Sequence, residues 1–355
     1  MTRPESPATA SSSASAQPQP AAAPAGTRRR VFMLGATGTI GQATARALIR
    51  QGHEVVCWTR PQAGVGGRLK AADLATRLAG AELRFGPVQD AGLLEREGFR
   101  GECFDVLLSC LGSRTGAPAD AWAIDHQAHA QALRLARAAG VSQVVLLSAL
   151  CVQKPQLAFQ HAKLAFEREL IDSGVGYSIV RPTAFFKSLS GQVARVQAGK
   201  PFVVFGDGRL TACKPIADED LADYLARCVT DPRLQGRILP IGGPGAAITP
   251  REQGELLFRL TGQPPRFKQV PLALMDTIVG GLSLVGRLLP ALAAKAELAR
   301  IGRYYATESM LVWDAQAGRY DAAATPSTGS RTLADHYQAL LRGELQVERG
   351  DHAVF

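Results

Sequence analysis

Short apolar runs alternate with amphipathic segments along most of the chain, and this alternation predicts strands and helices in turn. The apolar runs at 31–34, 105–111 and 144–148 are typical of strands that are buried on both faces. Segments with apolar residues at helical spacing, such as 121–139 and 158–173, follow these runs. The repeated alternation predicts an α/β fold built on a doubly wound parallel sheet.

The pattern changes near residue 201. Two short apolar runs flank a Gly-Asp-Gly turn at 206–208, which predicts a β-hairpin inserted at about 201–216. A helix over 218–229 and a strand over 237–241 then return the chain to the sheet. The predicted divisions are a disordered tail over 1–27, a nucleotide-binding domain over 28–241, and a smaller substrate-binding or lid region over 242–345.

The most apolar long stretch is 270–292, although Asp276, Arg287 and Pro290 interrupt it. We interpret it as a helical wall over an apolar pocket, with binding to a membrane surface as the alternative. The sequence, including this stretch, has no run of about 18 uncharged apolar residues that would predict a membrane-spanning helix.

A glycine-rich turn follows the first strand. Gly35, Gly38 and Gly41 stand at G-x-x-G-x-x-G spacing before a helical segment, as in the Rossmann fold. The first glycine permits a sharp turn, the second lets a pyrophosphate approach, and the third lets the helix pack on the sheet. The expected cofactor contacts in this turn are Gly35, Thr37, Gly38, Thr39, Ile40 and Gly41.

Arg60 ends the second strand, at the position where this fold meets the adenosine ribose. A carboxylate there would favour the 2′-hydroxyl of NAD, whereas a guanidinium pairs bidentately with a 2′-phosphate. The sequence therefore predicts NADPH as the cofactor. The alternative is a solvated arginine at a strand end.

Composition narrows the class of partner. The 355 residues are 46% hydrophobic and carry a net charge of +9, with a pI of about 9.5. This charge suits an anionic ligand or surface, but no nucleic-acid-binding module is present, so we expect no nucleic-acid partner. The cysteines lack C-x-x-C spacing, which indicates reduced core residues, and we expect no protein-bound metal.

The first 27 residues are rich in Ala, Pro and Ser and lack hydrophobic periodicity. They have no apolar core of a secretory signal. We expect a bacterial cytoplasmic protein, with peripheral binding to a photosynthetic membrane as one alternative, or a plastid protein if this tail is a transit peptide.

Carbonyl-reducing short-chain dehydrogenases carry a serine on the fifth strand and a Tyr-x-x-x-Lys motif on the next helix. Here Ser148 and Lys163 occupy the serine and lysine positions, but Phe159 replaces the tyrosine. Phe159 and Lys163 share one helix face, so both are expected to point into one cleft. Without a phenol donor, reduction of a conjugated C=C bond is favoured, because the substrate's own π system can take the developing charge.

Further cofactor contacts are expected at the carboxyl ends of the strands, where ligands bind in open parallel sheets. Asp90 follows the third strand, and its alternative role is that of a helix cap. Ser148 and Lys163 also have plain alternatives, namely a satisfied hydroxyl and a solvated helix lysine. The remaining expected contacts are Leu111, Gly112, Pro182 and Thr183.

Long strings at 161–192 and 199–216 closely resemble the divinyl chlorophyllide a 8-vinyl-reductases, atypical short-chain dehydrogenases of the NmrA-like group. The resemblance runs from about Val31 to the neighbourhood of Leu311. It implies NADPH-dependent reduction of the 8-vinyl group of divinyl chlorophyllide a, or a close precursor, to ethyl in chlorophyll or bacteriochlorophyll biosynthesis. The magnesium would belong to the tetrapyrrole substrate.

A planar macrocycle requires an apolar, aromatic-lined cleft with a few polar groups. The residues that suit it are Phe159, Phe185 and Phe186, with Lys187 or Lys214 for the propionate; each could equally be core or surface. Lys163 is the expected catalytic residue, through the nicotinamide ribose. A second hypothesis is an NADP-binding regulator or assembly subunit of the NmrA-like kind that does not turn the cofactor over.

Overall fold

The computed structural model describes residues 28–61, 70–286 and 290–345. Within these ranges, it describes only the backbone of 283–286 and 290–294. The tail over 1–27, whose disorder the sequence predicts, lies outside the described residues. So does Arg287 of the apolar stretch.

Seven parallel strands form the main sheet in the order β3-β2-β1-β4-β5-β6-β8. The reversal of strand order beside β1 is that of a doubly wound Rossmann-like fold, which confirms the predicted fold class. The strands are β1 (Arg30–Leu34), β2 (Glu54–Thr59), β3 (Glu82–Phe85), β4 (Val106–Ser109), β5 (Gln143–Leu147), β6 (Gly176–Pro182) and β8 (Arg237–Ile241).

Helices cover both faces of this sheet, and alternate residues of β1 show the two layers. Val31 and Met33 pack into a core with α1 and α9, whereas Phe32 and Leu34 pack into a core with α5 and α6. The helices up to β8 are α1 (Thr39–Arg50), α2 (Ala71–Arg77), α3 (Ala91–Leu93), α4 (Pro118–Ala121), α5 (His129–Ala138), α6 (Ala158–Asp172), α7 (Phe186–Leu189), α8 (Val193–Gln197) and α9 (Asp218–Cys228). Leu94–Phe99 and Trp122–Ala128 are π-helical, and Leu150–Gln153 and Pro232–Leu234 are 3₁₀ turns.

The C-terminal region adds α10 (Pro250–Thr261), β9 (Phe267–Val270), α11 (Leu272–Gly286), α12 (Pro290–Thr307), β10 (Val312–Asp314), β11 (Arg319–Asp321) and α13 (Leu333–Leu341). Thr249 caps α10 and forms a capping box with Glu252, as the Thr-Pro start of this helix predicts. β10 and β11 pair antiparallel.

The β-hairpin predicted at 201–216 is wrong. β7 (Phe202–Phe205) pairs in parallel with β9, not with the residues that follow the Gly-Asp-Gly turn. Phe202 and Val204 are buried against Leu257 and Phe258 of α10, so packing across the chain outweighs the local turn signal. This core contains residues from both sides of residue 241, so the two predicted domains share it. The domain division at residue 241 stays a prediction.

Helices α11 and α12 form a hairpin-like pair, in which Arg303 pairs with Asp276. The inner face of α12 packs through Ile301 and Tyr304 onto the loop after β5. Helix α11 instead exposes apolar side chains, including Leu274 at 51% and Ile278 at 46%. Among the described helices, none combines the length and apolarity that crossing a bilayer requires.

Candidate functional site

The three glycines of the turn after β1 have different surroundings. Gly35 has φ +76°, and a Cβ there would lie 2.5 Å from the Cys110 carbonyl carbon. A Cβ on Gly41 would lie 2.1 Å from the Gly35 carbonyl oxygen. The fold therefore requires both glycines, which confirms their predicted roles in the turn and in helix packing.

Gly38 is different, because a Cβ built there meets only the Gly35 carbonyl oxygen, at 3.8 Å. Its own backbone, with φ −76° and ψ 164°, is accessible to any residue. The open space lies at the N-terminus of α1, whose first turn has neither an acidic residue nor a side-chain cap. The loop thus fits a dinucleotide pyrophosphate, which would use the unpaired amides.

Thr39 forms a hydrogen bond with Asp218 beside this helix terminus, and Lys187 is close enough for its charge to act on Asp218. Burial and the nearby charge of Glu219 raise the pKa of Asp218 to about 6, against the opposing effects of Lys187 and of a hydrogen bond with Thr39. With a pKa of about 6, this carboxyl group is still mostly ionised at pH 7 and becomes largely protonated only below its pKa.

Arg60 follows the last residue of β2, and its side chain is exposed. Within the described part of the chain, no hydrogen bond or ion pair holds its guanidinium. The predicted contact with a 2′-phosphate is therefore sterically open and stays a prediction.

Lys163 and Asp125 form a buried ion pair at the carboxyl edge of the sheet. Nζ of Lys163 lies 2.9 Å from Oδ1 of Asp125, and the two side chains are 14% and 0% exposed. Gly112 lies beside the pair, since a Cβ there would be in ordinary contact with Oδ1 at 3.7 Å and Nζ at 3.9 Å. Lys163 is thus not a solvated helix lysine.

Asp125 has capacity for a further contact. Its Oδ1 also accepts the Ser113 amide at 3.3 Å, whereas Oδ2 is buried without a hydrogen-bond partner among the described residues. Buried carboxylate oxygens normally have partners, so a water or a ligand donor is expected at Oδ2. Asp125 lies in a π-helical segment, a feature that is frequent at functional sites.

The surroundings of Asp125 and His129 determine the ionisation state of each. Burial alone would raise the pKa of Asp125, but the Lys163 ammonium and hydrogen bonds from Ser113 and Lys163 outweigh it, so the pKa is lowered. Burial and the Lys163 charge lower the pKa of His129 to about 4. His129 is therefore neutral, and its nitrogens bond to Ser109 Oγ and the Ile124 carbonyl, both at 2.8 Å.

Ser148 has a structural partner. Its hydroxyl donates to Oε1 of Glu167 at 2.5 Å, and Glu167 also pairs with Arg181. Ser148 is 5% exposed, so in this structure it matches the satisfied strand-end hydroxyl that the sequence left open.

The aromatic residues expected at the substrate separate into two groups. Phe159 is half-buried beside Ile301 of α12, and a Cβ on Gly116 would touch both side chains. Phe185 is also half-buried. Phe186 is only 4% exposed and its ring faces His336 at 5.3 Å, so it fits the core role that the sequence left open.

Lys187 keeps part of its side chain accessible near Asp218. Lys214 instead donates to the Thr325 carbonyl at 2.8 Å, which makes it the weaker candidate for a propionate.

The remaining predicted positions lie at the carboxyl edge or cap a helix. Asp90 caps α3, with its side chain accepting the Leu93 amide at 2.9 Å, as the alternative role requires. The Leu111 amide donates to Ser109 Oγ at 3.2 Å. Pro182 and Thr183 are buried where β6 ends, and Thr183 donates to the Lys214 carbonyl. Whether they contact a cofactor stays a prediction.

Sequence reasoning missed Asp125 and the contribution of α12. The only local signal for Asp125 is an acidic residue within an otherwise apolar helix face. Ile301, Tyr304 and Tyr305 follow the apolar stretch at helical spacing, which predicts a buried face but not its neighbour.

Comparison with known proteins is consistent with this geometry. A family model described as NAD(P)H-binding matches residues 35–232. Divinyl chlorophyllide a 8-vinyl-reductase, chloroplastic, from Cucumis sativus is 47% identical over 332 residues, covering 92% of this chain and 79% of that protein. The protein of the same name from Oryza sativa subsp. indica is 47% identical over 331 residues, covering 92% and 82%.

Among solved structures, the NADPH-dependent quinone oxidoreductase QOR2 of Escherichia coli, complexed with NADPH, superposes with a TM-score of 0.64 at 21% identity. The match covers 88% of this chain and 99% of that one. At this identity the likeness establishes the fold alone.

Proposed function

The chain belongs to the divinyl chlorophyllide a 8-vinyl-reductase family, and from this membership we propose that it reduces the 8-vinyl group of divinyl chlorophyllide a, or of the corresponding protochlorophyllide, to an ethyl group with NADPH. The reaction belongs to chlorophyll or bacteriochlorophyll biosynthesis. The observation that carries the proposal is this close relationship along 92% of the chain, together with a buried Lys163–Asp125 pair.

The cofactor supplies a hydride when it is bound. The open space at Gly38 and the uncapped start of α1 suit its phosphates. We propose that Lys163 binds the nicotinamide ribose. Asp125 fixes the Lys163 ammonium, so the lysine is positioned before the ligands arrive.

The substrate side of the site is apolar. Phe159 and Ile301 offer surface to a planar macrocycle, and Lys187 is the candidate partner of a propionate. Phe185 packs instead against the core that includes α1 and α9, so it is the weaker candidate for a substrate contact. Phe159 cannot donate a proton, so the macrocycle must hold the developing charge until a proton arrives from another group.

The alternative is a cofactor-binding regulator or assembly subunit. Such a protein has no need for a buried, ion-paired lysine beside an apolar cleft, and burying this pair has a desolvation cost. We therefore favour the reductase.

The direct test uses the purified protein with NADPH and divinyl chlorophyllide a. We expect oxidation of one NADPH per vinyl group and a blue shift of the Soret band. NADPH binding without either change would support the alternative.

Replacement of Arg60 by Ala should weaken NADPH binding selectively. Loss of a charge-assisted bidentate contact costs about 1.5 to 3 kcal/mol, or roughly 10- to 100-fold in Kd. NADH, which lacks the 2′-phosphate, should bind as before. Titration of both cofactors checks this, with Arg134→Ala, an exposed arginine on α5, as the charge-matched control. An equal loss for NADPH and NADH would show that Arg60 does not recognise the phosphate.

We also propose weak peripheral binding to pigment membranes through α11. Leu274 and Ile278 expose apolar surface, and the net charge of +9 favours anionic lipid.

Leu274→Ser combined with Ile278→Ser should therefore lower binding to anionic vesicles about tenfold, since partial burial of two such side chains is worth roughly 1 to 2 kcal/mol. Vesicle sedimentation measures the effect, and Ile171→Ser, at an exposed apolar position on α6, is the control. Unchanged sedimentation of the double variant would exclude α11 as the contact, and binding that resists high salt and carbonate would contradict a weak peripheral mode.

The names of the plant relatives and the pigment pathway support a proposal for the compartment. The plant relatives are named chloroplastic. We propose the bacterial cytoplasm beside the photosynthetic membrane, and the plastid if residues 1–27 direct import. A fluorescent fusion of residues 1–27, expressed in plant cells, distinguishes the two.

A further inference from the structure

Helix α12 lies over the carboxyl end of β5. The hydroxyl of Tyr304 donates to the carbonyls of Cys151 and Lys154, at 2.9 Å and 3.1 Å. Ile301, one turn earlier, contacts the Phe159 region. The C-terminal region thus closes over the same strand end from which Phe159 and Lys163 continue.

Tyr305 is the next residue on this helix, and its hydroxyl points to the same place. Its oxygen lies 3.9 Å from Sγ of Cys151. The charge of Lys163 acts on the same thiol and opposes the rise in its pKa that burial causes. Sulfur is a weak acceptor. No stronger partner of the Tyr305 hydroxyl is found among the described residues, so its proton is available to a ligand.

The side chain of Tyr305 is accessible, unlike that of the neighbouring Tyr304. It is 42% exposed, whereas Tyr304 is 2% exposed. Burial nevertheless raises the pKa of Tyr305 well above its usual range, with further contributions from Cys151 and Tyr304. A phenol with a raised pKa is protonated at neutral pH, and the exposed part of Tyr305 leaves the ring open to a ligand.

The other titratable groups near Lys163 are poorly suited to donate a proton. Asp125 is held ionised, and His129 is neutral with both nitrogens bonded. The Ser148 proton is committed to Glu167. Cys151 and Tyr304 are also neutral acids, but they are only 1% and 2% exposed, so among these described side chains Tyr305 is the neutral acid that a ligand can reach.

We infer that Tyr305 is the catalytic acid of this site and replaces, from a C-terminal helix, the phenol that Phe159 lacks. The inference rests on the proposed reduction. The terminal vinyl carbon takes the hydride and forms a new C–H bond, while the π electron pair moves to the inner carbon and into the macrocycle. The Tyr305 O–H bond then breaks, its proton goes to the inner carbon to complete the ethyl group, and water reprotonates the phenolate.

The test compares Tyr305→Phe with Tyr304→Phe on the full-length protein, with NADPH and divinyl chlorophyllide a. For Tyr305→Phe we expect turnover to fall about 10²- to 10⁴-fold, the usual contribution of a general acid, while the Kd for NADPH and the melting temperature are unchanged. Tyr304→Phe should lower the melting temperature, because it loses two hydrogen bonds, and should retain turnover within a few fold.

A second measurement separates proton donation from packing. Single-turnover rates in H₂O and D₂O should differ for the wild type, and replacement of Tyr305 by 3-fluorotyrosine, which keeps the ring and changes only its acidity, should alter this solvent isotope effect.

Turnover of Tyr305→Phe within threefold of the wild type would overturn the inference and leave the proposed function intact. So would an unaltered isotope effect with 3-fluorotyrosine. If the wild type itself leaves the vinyl group unreduced, both the function and the inference fail.

Discussion

Replacement of Gly38 by Val is expected to abolish NADPH binding while leaving the fold intact. The added side chain would enter the open space at the start of α1, where the pyrophosphate must approach the backbone amides. We expect the Kd for NADPH to rise more than about 100-fold, which corresponds to at least about 2.8 kcal/mol. Fluorescence titration of NADPH measures the loss, and circular dichroism and thermal unfolding of the cofactor-free protein measure the fold.

Gly41→Ala is the matched control for this experiment. Its Cβ would lie 2.1 Å from the Gly35 carbonyl oxygen, so the helix must move off the loop. Overpacking of this kind typically costs about 1 to 3 kcal/mol of stability. Gly41→Ala should therefore lower the melting temperature, which Gly38→Val should not. Normal NADPH binding by Gly38→Val would refute the assignment of this loop to the phosphates.

Replacement of Lys163 by Met should reduce both turnover and stability, each for a separate reason. Loss of the ammonium removes the group expected to position the nicotinamide ribose, and misplacement by about 1 Å can cost 10²-fold in rate. It also leaves the Asp125 carboxylate buried without its counterion, at a cost of about 3 to 5 kcal/mol. Kinetic assays and chemical denaturation measure the two effects.

The pH dependence of stability gives a further signature. In the wild type the pKa of Asp125 is lowered, so its contribution to stability is present above the unfolded-state pKa and is lost as the pH falls through the folded-state value. Without Lys163, burial would raise this pKa above the unfolded value. The native state then binds more protons than the unfolded state, and Lys163→Met should become more stable as the pH falls from neutral toward 5.

The double variant of Lys163→Met and Asp125→Asn separates the two losses. Removal of the unpaired charge should restore most of the stability at pH 7, whereas turnover should remain low. A double variant that regained turnover would show that Lys163 serves only to neutralise Asp125.

The sequence by itself determined the nucleotide-binding half of the fold. Buried parallel strands are continuous apolar runs, and the turn glycines have steric requirements, so both signals lie within a few neighbouring residues. The prediction succeeded for β8, whose observed bounds are those expected, and for the roles of Gly35 and Gly41. The spacing of the short-chain dehydrogenase motif identified Ser148 and Lys163, but the sequence did not predict their partners Glu167 and Asp125.

Only the tertiary structure decided which residues meet at the site. Asp125 and Lys163 come from different helices, and no pattern along the chain predicts a buried ion pair between them. β7 pairs with the distant β9 because burial of Phe202 and Val204 outweighs the local turn at 206–208. Tyr305 reaches the β5 edge only because α12 packs there through Ile301 and Tyr304. Local patterns specify elements, whereas the burial of apolar surface among distant elements selects their neighbours, and the chemistry of this site depends on those neighbours.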